Sequence, residues 1–254
     1  MGKGSLGSLV RTSYVLAKAD IRVKNEGSYF GALWNFLDPL FIFLILLFIR
    51  GVFNIGLSED YPLYLLIGLI VFNFFRQSSV RSLRSISGNS QLINNLKISP
   101  WVLALSSLFH VLFSHIFELL LLVIMMIFYG NSIISLVFYP LIFILIVSFV
   151  FGISLLLSTI VVFFRDIENI WKMFVRLLWF ATPVFYGVVP GSLLYRFNQY
   201  NPLFYYISLV RDVIIYQIFP ETRIIIITIF FSLFFLFLGI YIFNKFEGFF
   251  AENL

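Results

Sequence analysis

The sequence has no cysteine and few charged residues, which make up 11% of its 254 positions. The absence of cysteine excludes disulfides and thiolate metal sites. Hydrophobic residues reach 61%, whereas soluble globular domains contain roughly 45–50% apolar residues. A chain of this length cannot hide so much apolar surface in its own interior, so we expect lipid to be part of its solvent.

Signatures of catalysis and nucleotide binding are also missing. The sequence has no G-x-x-x-x-G-K-S/T loop, no serine elbow and no pair of catalytic carboxylates. If the chain takes part in energy-driven work, the energy comes from another chain or from an ion gradient. The net charge of +5 does not predict nucleic-acid binding, because no basic stripe is interleaved with polar, exposed aromatic residues. Residues 1–25 lack a continuous apolar core, so we expect no cleaved signal peptide.

Residues 6–24 have the pattern of an amphipathic helix. Apolar residues recur near helical spacing on one side, while Arg11, Lys18 and Arg22 follow spacings of seven and four on another. A basic amphipathic helix of this kind suits the surface of an anionic leaflet. The alternative interpretation is a solvated cytoplasmic tail.

Six apolar segments follow, at residues 33–52, 63–75, 101–128, 136–164, 170–189 and 224–243. About 20 helical residues cross a hydrocarbon core of roughly 30 Å. Residues 190–220 are irregular and rich in aromatics, and part of this stretch is apolar enough to enter the membrane as broken helices. The pattern predicts an all-α integral membrane protein with one domain over residues 1–254. Residues 1–31 form its interface helix and elbow, and residues 32–254 its six-helix body.

Basic residues predict the orientation. Lys and Arg are concentrated before the first segment, at residues 76–97 and at residues 165–172, whereas the alternate loops at 55–61 and 129–135 have none. By the positive-inside rule both termini are cytoplasmic. Arg196, Arg211 and Arg223 are the exceptions.

The third segment carries polar residues within its apolar sequence. Ser107, His110, Ser114 and Glu118 follow spacings of three, four and four, and His115 lies beside them. Such residues usually face a bundle interior or a wet cavity. The favoured interpretation is hydrogen bonding between helices, with a lining role or a proton relay through Glu118 as alternatives. We expect no metal site, since the segment alone has too few ligands.

Small residues in the fourth segment indicate close helix packing. Ser148, Gly152, Ser154 and Ser158 are spaced mostly four apart, which lets two helices approach each other.

Six short motifs lie along the chain in a fixed order: Asp20-Ile-Arg22, Gly31-Ala-Leu-Trp34, Asp38-Pro39-Leu40, Phe164-Arg165-Asp166-Ile167, Thr182-Pro183-Val184-Phe185-Tyr186, and Asn201-Pro202 followed by Arg211. Together they resemble the transmembrane subunit of type-2 ABC exporters, in the branch that handles polysaccharides such as O-antigens and teichoic acids. The resemblance covers nearly the whole chain. It implies a re-entrant helical hairpin between spans five and six and a homodimer with a conduit at its interface. It also implies a separate ATPase subunit, which binds ATP and Mg, and no cofactor on this chain.

The resemblance also implies two functional segments on the cytoplasmic side. The loop between spans two and three would hold a short helix that couples the permease to the ATPase, at about residues 89–96. Its candidate coupling residues are Asn89, Gln91, Leu92, Ile93, Asn94 and Asn95. Arg165 and Asp166 match the family motif at the end of span four. They could pair with each other or hold the adjoining segment, and a plain helix-end charge pair is the alternative.

Spans one and five line the conduit in the family that this chain resembles. Aromatic residues near its two entrances become candidates for stacking on sugar rings: Tyr29, Phe30, Trp34, Phe36, Phe185 and Tyr186. The alternative is an interfacial aromatic belt, which the same residue types would form.

The function implied is that of a permease subunit in the bacterial cytoplasmic membrane, moving a lipid-linked polysaccharide outward with a second copy of itself and an ATPase. One alternative is an ABC-2 exporter of a drug or a small lipid. Another is a membrane-embedded transferase acting on lipid-linked sugars, for which His110, His115 and Glu118 would be the catalytic candidates. An ion-coupled transporter is disfavoured, since the sequence has no internal repeat and few acids within its apolar segments.

Overall fold

The computed structural model describes residues 6–52 and 60–253, and the described chain is helical without a β-strand. Its helices are α1 (Leu6–Asn25), α2 (Trp34–Val52), α3 (Tyr61–Ser82), α4 (Ser90–Asn94), α5 (Pro100–Phe128), α6 (Tyr139–Phe163), α7 (Ile167–Ala181), α8 (Leu193–Asn198), α9 (Pro202–Ile214), α10 (Thr222–Phe246) and α11 (Phe250–Asn253). The helical prediction for residues 6–24 is therefore confirmed by α1. Most of the predicted outer loop at 55–61 lies outside the described residues.

Five helical stretches in the described part are long and apolar enough to cross a membrane. They are Trp34–Val52, Tyr61–Ser82, Pro100–Phe128, Ile133–Phe163 and Thr222–Asn253. Five of the six predicted apolar segments therefore correspond to such stretches.

The predicted fifth segment, 170–189, is helical only as far as Ala181. Its helix α7 has 15 residues, or roughly 22 Å at 1.5 Å per residue, which is shorter than a hydrocarbon core. The helix stops because Pro183 cannot donate a backbone hydrogen bond and forces the residue before it out of the helical region. Thr182 accordingly has an extended backbone, with φ −94° and ψ 135°.

Two other predicted boundaries differ from the structure. The second segment was expected at 63–75, but α3 continues to Ser82 because its later polar residues still face the protein; Ser78, Ser79 and Ser82 are buried. The fourth was expected from residue 136, but Ile133–Phe138 is a 3₁₀ turn. The α-helix begins at Tyr139, with Pro140 in the first turn where its missing N–H costs nothing.

Contacts between helix ends divide the bundle into two ends, which we call the α4 end and the α9 end after the helices found there. At the α4 end, Asp20 of α1 pairs with Arg81 at 3.1 Å. Trp101 Nε1 donates to Asn244 at 3.1 Å there, near α11. At the α9 end, the Arg50 guanidinium lies 3.4 Å from the centre of the Tyr61 ring. Helices α1 and α11 therefore lie at the same end of the bundle.

Helix α7 and the segment that follows it run beside the whole of α3. At the α4 end, Glu168 pairs with Arg84, just beyond the end of α3, at 2.8 Å. At the α9 end, the Tyr64 hydroxyl donates to the carbonyl of Tyr186 at 3.0 Å. The non-helical residues 182–186 thus extend α7 until it matches α3 in length.

Helices α6 and α10 touch along their backbones. A Cβ added to Gly152 would lie 2.2 Å from the carbonyl oxygen of Phe235, and one added to Gly239 would lie 2.4 Å from the carbonyl oxygen of Gly152. Only glycine permits this approach, so the packing predicted for Gly152 is confirmed. Ser154 and Ser158 are buried on the same helix, whereas the Ser148 hydroxyl bonds its own helix at Ile144.

Candidate functional site: a charged groove and its frame

A groove of about 560 Å³ separates α2 and α7 over the surface of α3. Its polar lining residues are Asp38 from α2, Asn73 and Arg76 from α3, and Lys172 and Arg176 from α7. Because α3 runs from the α9 end to the α4 end while α2 and α7 run the opposite way, all five lie in the part of the groove nearer the α4 end.

The other half of the groove is apolar and aromatic. Leu69 and Phe72 of α3 and Trp179 and Phe180 of α7 line it, and the rings of Phe72 and Trp179 meet edge to face with centroids 4.9 Å apart. The groove therefore combines a cationic mouth at the α4 end with an aromatic wall toward the α9 end.

The predicted sugar-stacking residues lie outside this lining, near its two ends. Phe30 and Trp34 are exposed and in edge contact at 5.6 Å, Tyr29 is fully exposed, and Phe36 is partly buried against the core. Trp34 and Asp38 share a small depression that adjoins the groove.

Phe185 and Tyr186 lie near the opposite end of the groove. Their rings meet edge to face at 5.3 Å, and Phe185 also lies 6.2 Å from Trp179. The two predicted aromatic groups are therefore separated along the groove.

Residues 182–186 form irregular backbone that side chains of α3 hold in place. Tyr61 donates its hydroxyl to the carbonyl of Phe185 at 2.9 Å, and Tyr64 donates to that of Tyr186 at 3.0 Å. Buried carbonyls without a partner are costly, most of all in lipid. These two tyrosines therefore explain how a non-helical segment is stable at this position.

Two further residues, at the start of α9 and within it, also bind residues 182–186. Together with Tyr61 and Tyr64 they form what we call the frame around this segment. Asn201 Nδ2 donates to the Thr182 hydroxyl at 2.8 Å. Arg211 Nη2 donates to the carbonyls of Val184 at 3.0 Å and Tyr64 at 2.9 Å. The motifs 182–186, 201–202 and Arg211, which are far apart in sequence, meet at one place.

Arg211 is a structural cation rather than a loop charge. Its side chain is 4% exposed and lies over the Tyr64 ring at 3.3 Å. Gly68 leaves it room, because a Cβ there would lie 2.8 Å from Arg211 Nη2. The burial of Arg211 accounts for one of the exceptions to the predicted charge distribution.

All five polar residues predicted on the third segment are buried. His115 Nδ1 lies 3.0 Å from a Glu118 carboxylate oxygen, and its Nε2 lies 2.8 Å from the Tyr139 hydroxyl. The other Glu118 oxygen accepts from the Asn73 amide. Helices α3, α5 and α6 are thereby joined by one hydrogen-bond network.

The rest of this polar face makes smaller contributions. Ser114 donates to Asn35 of α2 at 3.3 Å, while the Ser107 hydroxyl bonds its own helix at Ala104. No group of three or more His, Cys, Asp or Glu residues within the described ranges could hold a metal ion.

Sequence reasoning missed Asn73, Tyr64 and Tyr139. Asn73 is the one amide inside the predicted segment 63–75, and that isolation was a usable signal. The tyrosines gave no signal, because they resemble interfacial aromatics until their distant partners are known.

The predicted coupling segment contains a short helix, α4, at the surface of the bundle. Gln91, Asn94 and Asn95 are exposed there, whereas Ile93 is 8% exposed and packs into the protein's own core. Asn89 turns inward, and its Nδ2 donates to the carbonyl of Ser85 at 2.9 Å.

The most exposed apolar residue of the predicted coupling segment is Leu96, which lies two residues beyond α4 at the end of the predicted range 89–96. It is 66% exposed. Lys97 follows it with φ 52°, a left-handed conformation that ends the turn and directs the chain back toward α5.

The charges at the start of α7 differ from the predicted pair. Arg165 and Asp166 are both exposed, and no ion pair joins them within residues 60–253. Glu168 instead binds Arg84 through two contacts of 2.8 and 2.9 Å and also binds Lys172. The hydrogen bonds from Arg84 and Lys172 lower the pKa of Glu168 below its ordinary value.

A helical bundle with five candidate membrane spans has the architecture of a multi-pass membrane protein. The chain belongs to the ABC-2 type transporter family, whose profile matches residues 12–215.

Several curated relatives match over much of their length. An O-antigen export system permease protein from Klebsiella pneumoniae is 30% identical over 99% of this chain and 98% of its own length. One with the same description from Myxococcus xanthus is 26% identical over 67% of this chain and 66% of its own length. A polysialic acid transport protein from Escherichia coli is 25% identical over 77% of this chain and 78% of its own length.

Proposed function

We propose that this chain is the permease subunit of an ATP-driven exporter that moves a lipid-linked polysaccharide of the O-antigen kind across the bacterial cytoplasmic membrane. The observation that carries the proposal is the groove between α2, α3 and α7, with its cations at one end and its aromatic wall at the other. The relatives described as O-antigen permeases supply the class of cargo.

The charged and aromatic parts of the groove follow one another in the same order as the phosphate and the sugar rings of such a cargo. A lipid-linked sugar chain carries phosphate where the lipid meets the first sugar. Arg76 and Arg176 can bind that phosphate through charge-assisted hydrogen bonds. Sugar rings have apolar faces that stack on aromatic rings, and Trp179 and Phe180 come next along the wall.

The fifth of six crossings is made by α7 together with residues 182–186. Support comes from the contacts that attach this unit to both ends of α3, through Glu168 and Tyr186. Helices α8 and α9 then form the re-entrant hairpin. Arg211 of α9 lies beside Gly68, two turns along α3 from its start. The hairpin therefore extends between the spans rather than lying outside them.

A second copy of the chain closes the groove into a conduit. The faces of α2 and α7 beside the groove expose large apolar side chains, among them Phe41, Ile45 and Phe48 on α2 and Met173 and Leu177 on α7. An ion-lined groove open to lipid would be costly. Two grooves that face each other across a dimer axis would shield these charges within one polar passage.

The ATPase binds at the α4 end, which faces the cytoplasm together with both termini. ATP and Mg belong to that partner, and this chain contributes the coupling helix α4. Leu96, two residues after α4, is the apolar contact offered to a cleft on the ATPase, since it is exposed whereas Ile93 is buried. Arg165 and Asp166 lie at the same end and adjoin the start of α7.

The test of the cargo site uses the permease purified with its ATPase in lipid nanodiscs. We expect a lipid-linked oligosaccharide to stimulate ATP turnover. The double variant Arg76→Gln/Arg176→Gln should lower the apparent affinity for this cargo about tenfold or more, since a hydrogen bond to a charged group contributes roughly 1.5–3 kcal/mol.

The matched control is Arg196→Gln, which removes an exposed cation of α8 outside the groove. It should leave the stimulation unchanged. Equal stimulation of the wild type and the groove variant would contradict the cargo site. Stimulation by small amphipathic drugs but not by the oligosaccharide would favour the rival exporter.

A second test separates coupling from folding. Leu96→Ser should weaken co-purification of the ATPase while leaving the permease's melting temperature unchanged. Ile93→Ser should instead lower the melting temperature, because it places a hydroxyl in the core. If Leu96→Ser binds the ATPase as the wild type does, the assigned coupling contact is wrong.

A further inference from the structure

A second large cavity lies on the other side of the bundle, under the N-terminal helix. It has a volume of about 700 Å³ and lies between α1 and α5, with Phe143 of α6 at its floor. Its walls are almost entirely apolar and include Phe109, Phe113 and Ile116 of α5. Its lining shares no residue with the groove between α2, α3 and α7.

The cavity results from the way α1 packs on the bundle. Ser13 and Ala17 are buried, and Tyr14 meets Phe109 edge to face at 6.3 Å. Asp20 attaches the helix to Arg81 of α3 at 3.1 Å. Helix α1 is therefore held along its length, and the space beside it is a defined feature of the fold.

Two cations line the cavity without an acidic partner. Lys18 and Arg22 lie one helical turn apart on α1, and both are exposed. Of the acids nearby in sequence, Asp20 pairs with Arg81, and Glu26 makes no ion pair within the described residues. Among the ion pairs of the described residues, none involves Lys18 or Arg22.

We propose that this cavity binds one anionic phospholipid of the bilayer as a resident lipid. Its phosphate lies between Lys18 and Arg22, whose side chains are close enough at this spacing to share one anion. An acyl chain fills the apolar space between Phe113, Ile116 and Phe143. A free phosphate would satisfy the cations but leave the apolar walls open, so the pairing of charge with an apolar cavity favours a lipid.

The site does not depend on transport, and its test does not use cargo or ATP. The full-length permease is extracted from nanodiscs that contain phosphatidylcholine with about one-tenth phosphatidylglycerol. The lipids it retains are then measured by mass spectrometry. We expect phosphatidylglycerol to be enriched over phosphatidylcholine in the retained fraction.

The charge variant is Lys18→Gln/Arg22→Gln, and its matched control is Arg11→Gln, an exposed cation of α1 outside the cavity. Each cation near a membrane surface contributes about fivefold to the binding of an anionic lipid. The double variant should therefore lose retained phosphatidylglycerol by about five- to 25-fold, whereas the control should retain it. Equal losses in both would mean general surface attraction and would overturn the site.

A second variant tests the cavity without changing charge. Ile116→Trp fills the acyl-chain space and should abolish retention. Ile124→Trp, on the same helix and also exposed but outside the cavity, should not. Gel filtration and circular dichroism verify that each variant is folded. Equal retention of both lipids by the wild type, or displacement of the lipid by millimolar inorganic phosphate alone, would overturn the proposal.

Discussion

Two pairs of helices in this molecule are arranged in opposite ways. Helices α6 and α10 meet at Gly152 and Gly239, where the backbones touch and even a Cβ atom would not fit. Helices α2 and α7 stand apart over α3, and the space between them holds Asp38, Arg76 and Arg176. Small residues seal one side of the bundle, whereas large and charged residues keep the other side open.

This difference indicates which part of the bundle is a fixed support and which part can rearrange. A backbone contact cannot slide without creating steric overlap, so α6 and α10 behave as one unit. The groove side is held by side-chain hydrogen bonds at its two ends, at residues 182–186 and at Glu168. A relative movement of α7 requires side-chain contacts such as these to change, but no backbone contact between helices.

The largest expected effect is at the sealed contact. Gly152→Val adds three heavy atoms where the first would already lie 2.2 Å from the Phe235 carbonyl oxygen. Overpacking typically costs 1–3 kcal/mol, and a clash with backbone exceeds this range, so we expect little folded protein. Fluorescence-detected gel filtration of the detergent extract measures the amount of folded protein. The control is Ser148→Ala on the same helix, and a folded Gly152→Val protein would show that this side is not sealed.

The next effect concerns the fixed end of α7. Arg211→Gln removes the donor to the Val184 carbonyl and the cation on the Tyr64 ring. We expect a loss of about 1–3 kcal/mol for the unpaired carbonyl and about 2 kcal/mol for the buried cation–π contact. The thermal unfolding midpoint in detergent measures the change. Arg196→Gln should leave the midpoint unchanged. Equal midpoints for the wild type and both variants would mean that Arg211 does not stabilise the attachment of α7.

Sequence reasoning reached the fold class and the family, and it did so from patterns that are local in the chain. Apolar length predicted the spans, periodicity predicted α1, and the order of short motifs indicated the ABC-2 family, which the family match confirms. The boundary of α7 could have been placed better, because Pro183 in the predicted span has a known effect on the helix before it.

The frame around residues 182–186 could not be predicted in the same way. Tyr64 and the Tyr186 carbonyl are 122 positions apart, and Arg211 and the Tyr64 carbonyl are 147 apart. Each partner on its own has the pattern of an interfacial aromatic or a loop cation. The roles assigned to α4 and to Arg165 and Asp166 stay predictions, since they depend on surfaces that another protein would cover.

A smaller effect is expected at the groove wall, where Asn73 belongs to the buried hydrogen-bond network and Ile42 does not. Asn73 lines the groove, yet its amide binds Glu118, whose side chain is buried. Asn73→Ala should cost about 1–3 kcal/mol, because a buried carboxylate oxygen loses its donor. Ile42→Ala, on the same groove but with an exposed apolar side chain, should stay within about 1 kcal/mol. Melting curves of both variants decide the matter, and an equal cost would mean that the network adds nothing to the groove side.

The smallest effect concerns the α4 end of α7, where hydrogen bonds from Arg84 and Lys172 lower the pKa of Glu168. A lowered pKa in the folded state means that the contact stabilises the protein fully above the ordinary glutamate pKa of about 4.3. The contribution disappears as the pH falls through the lowered value. Glu168→Gln should therefore melt slightly below the wild type at pH 7, and the two melting curves should converge at acidic pH. A difference that persists unchanged below pH 4 would mean that Glu168 holds α7 by packing rather than by charge. The groove side of the bundle would then be held more firmly than its charged contacts indicate.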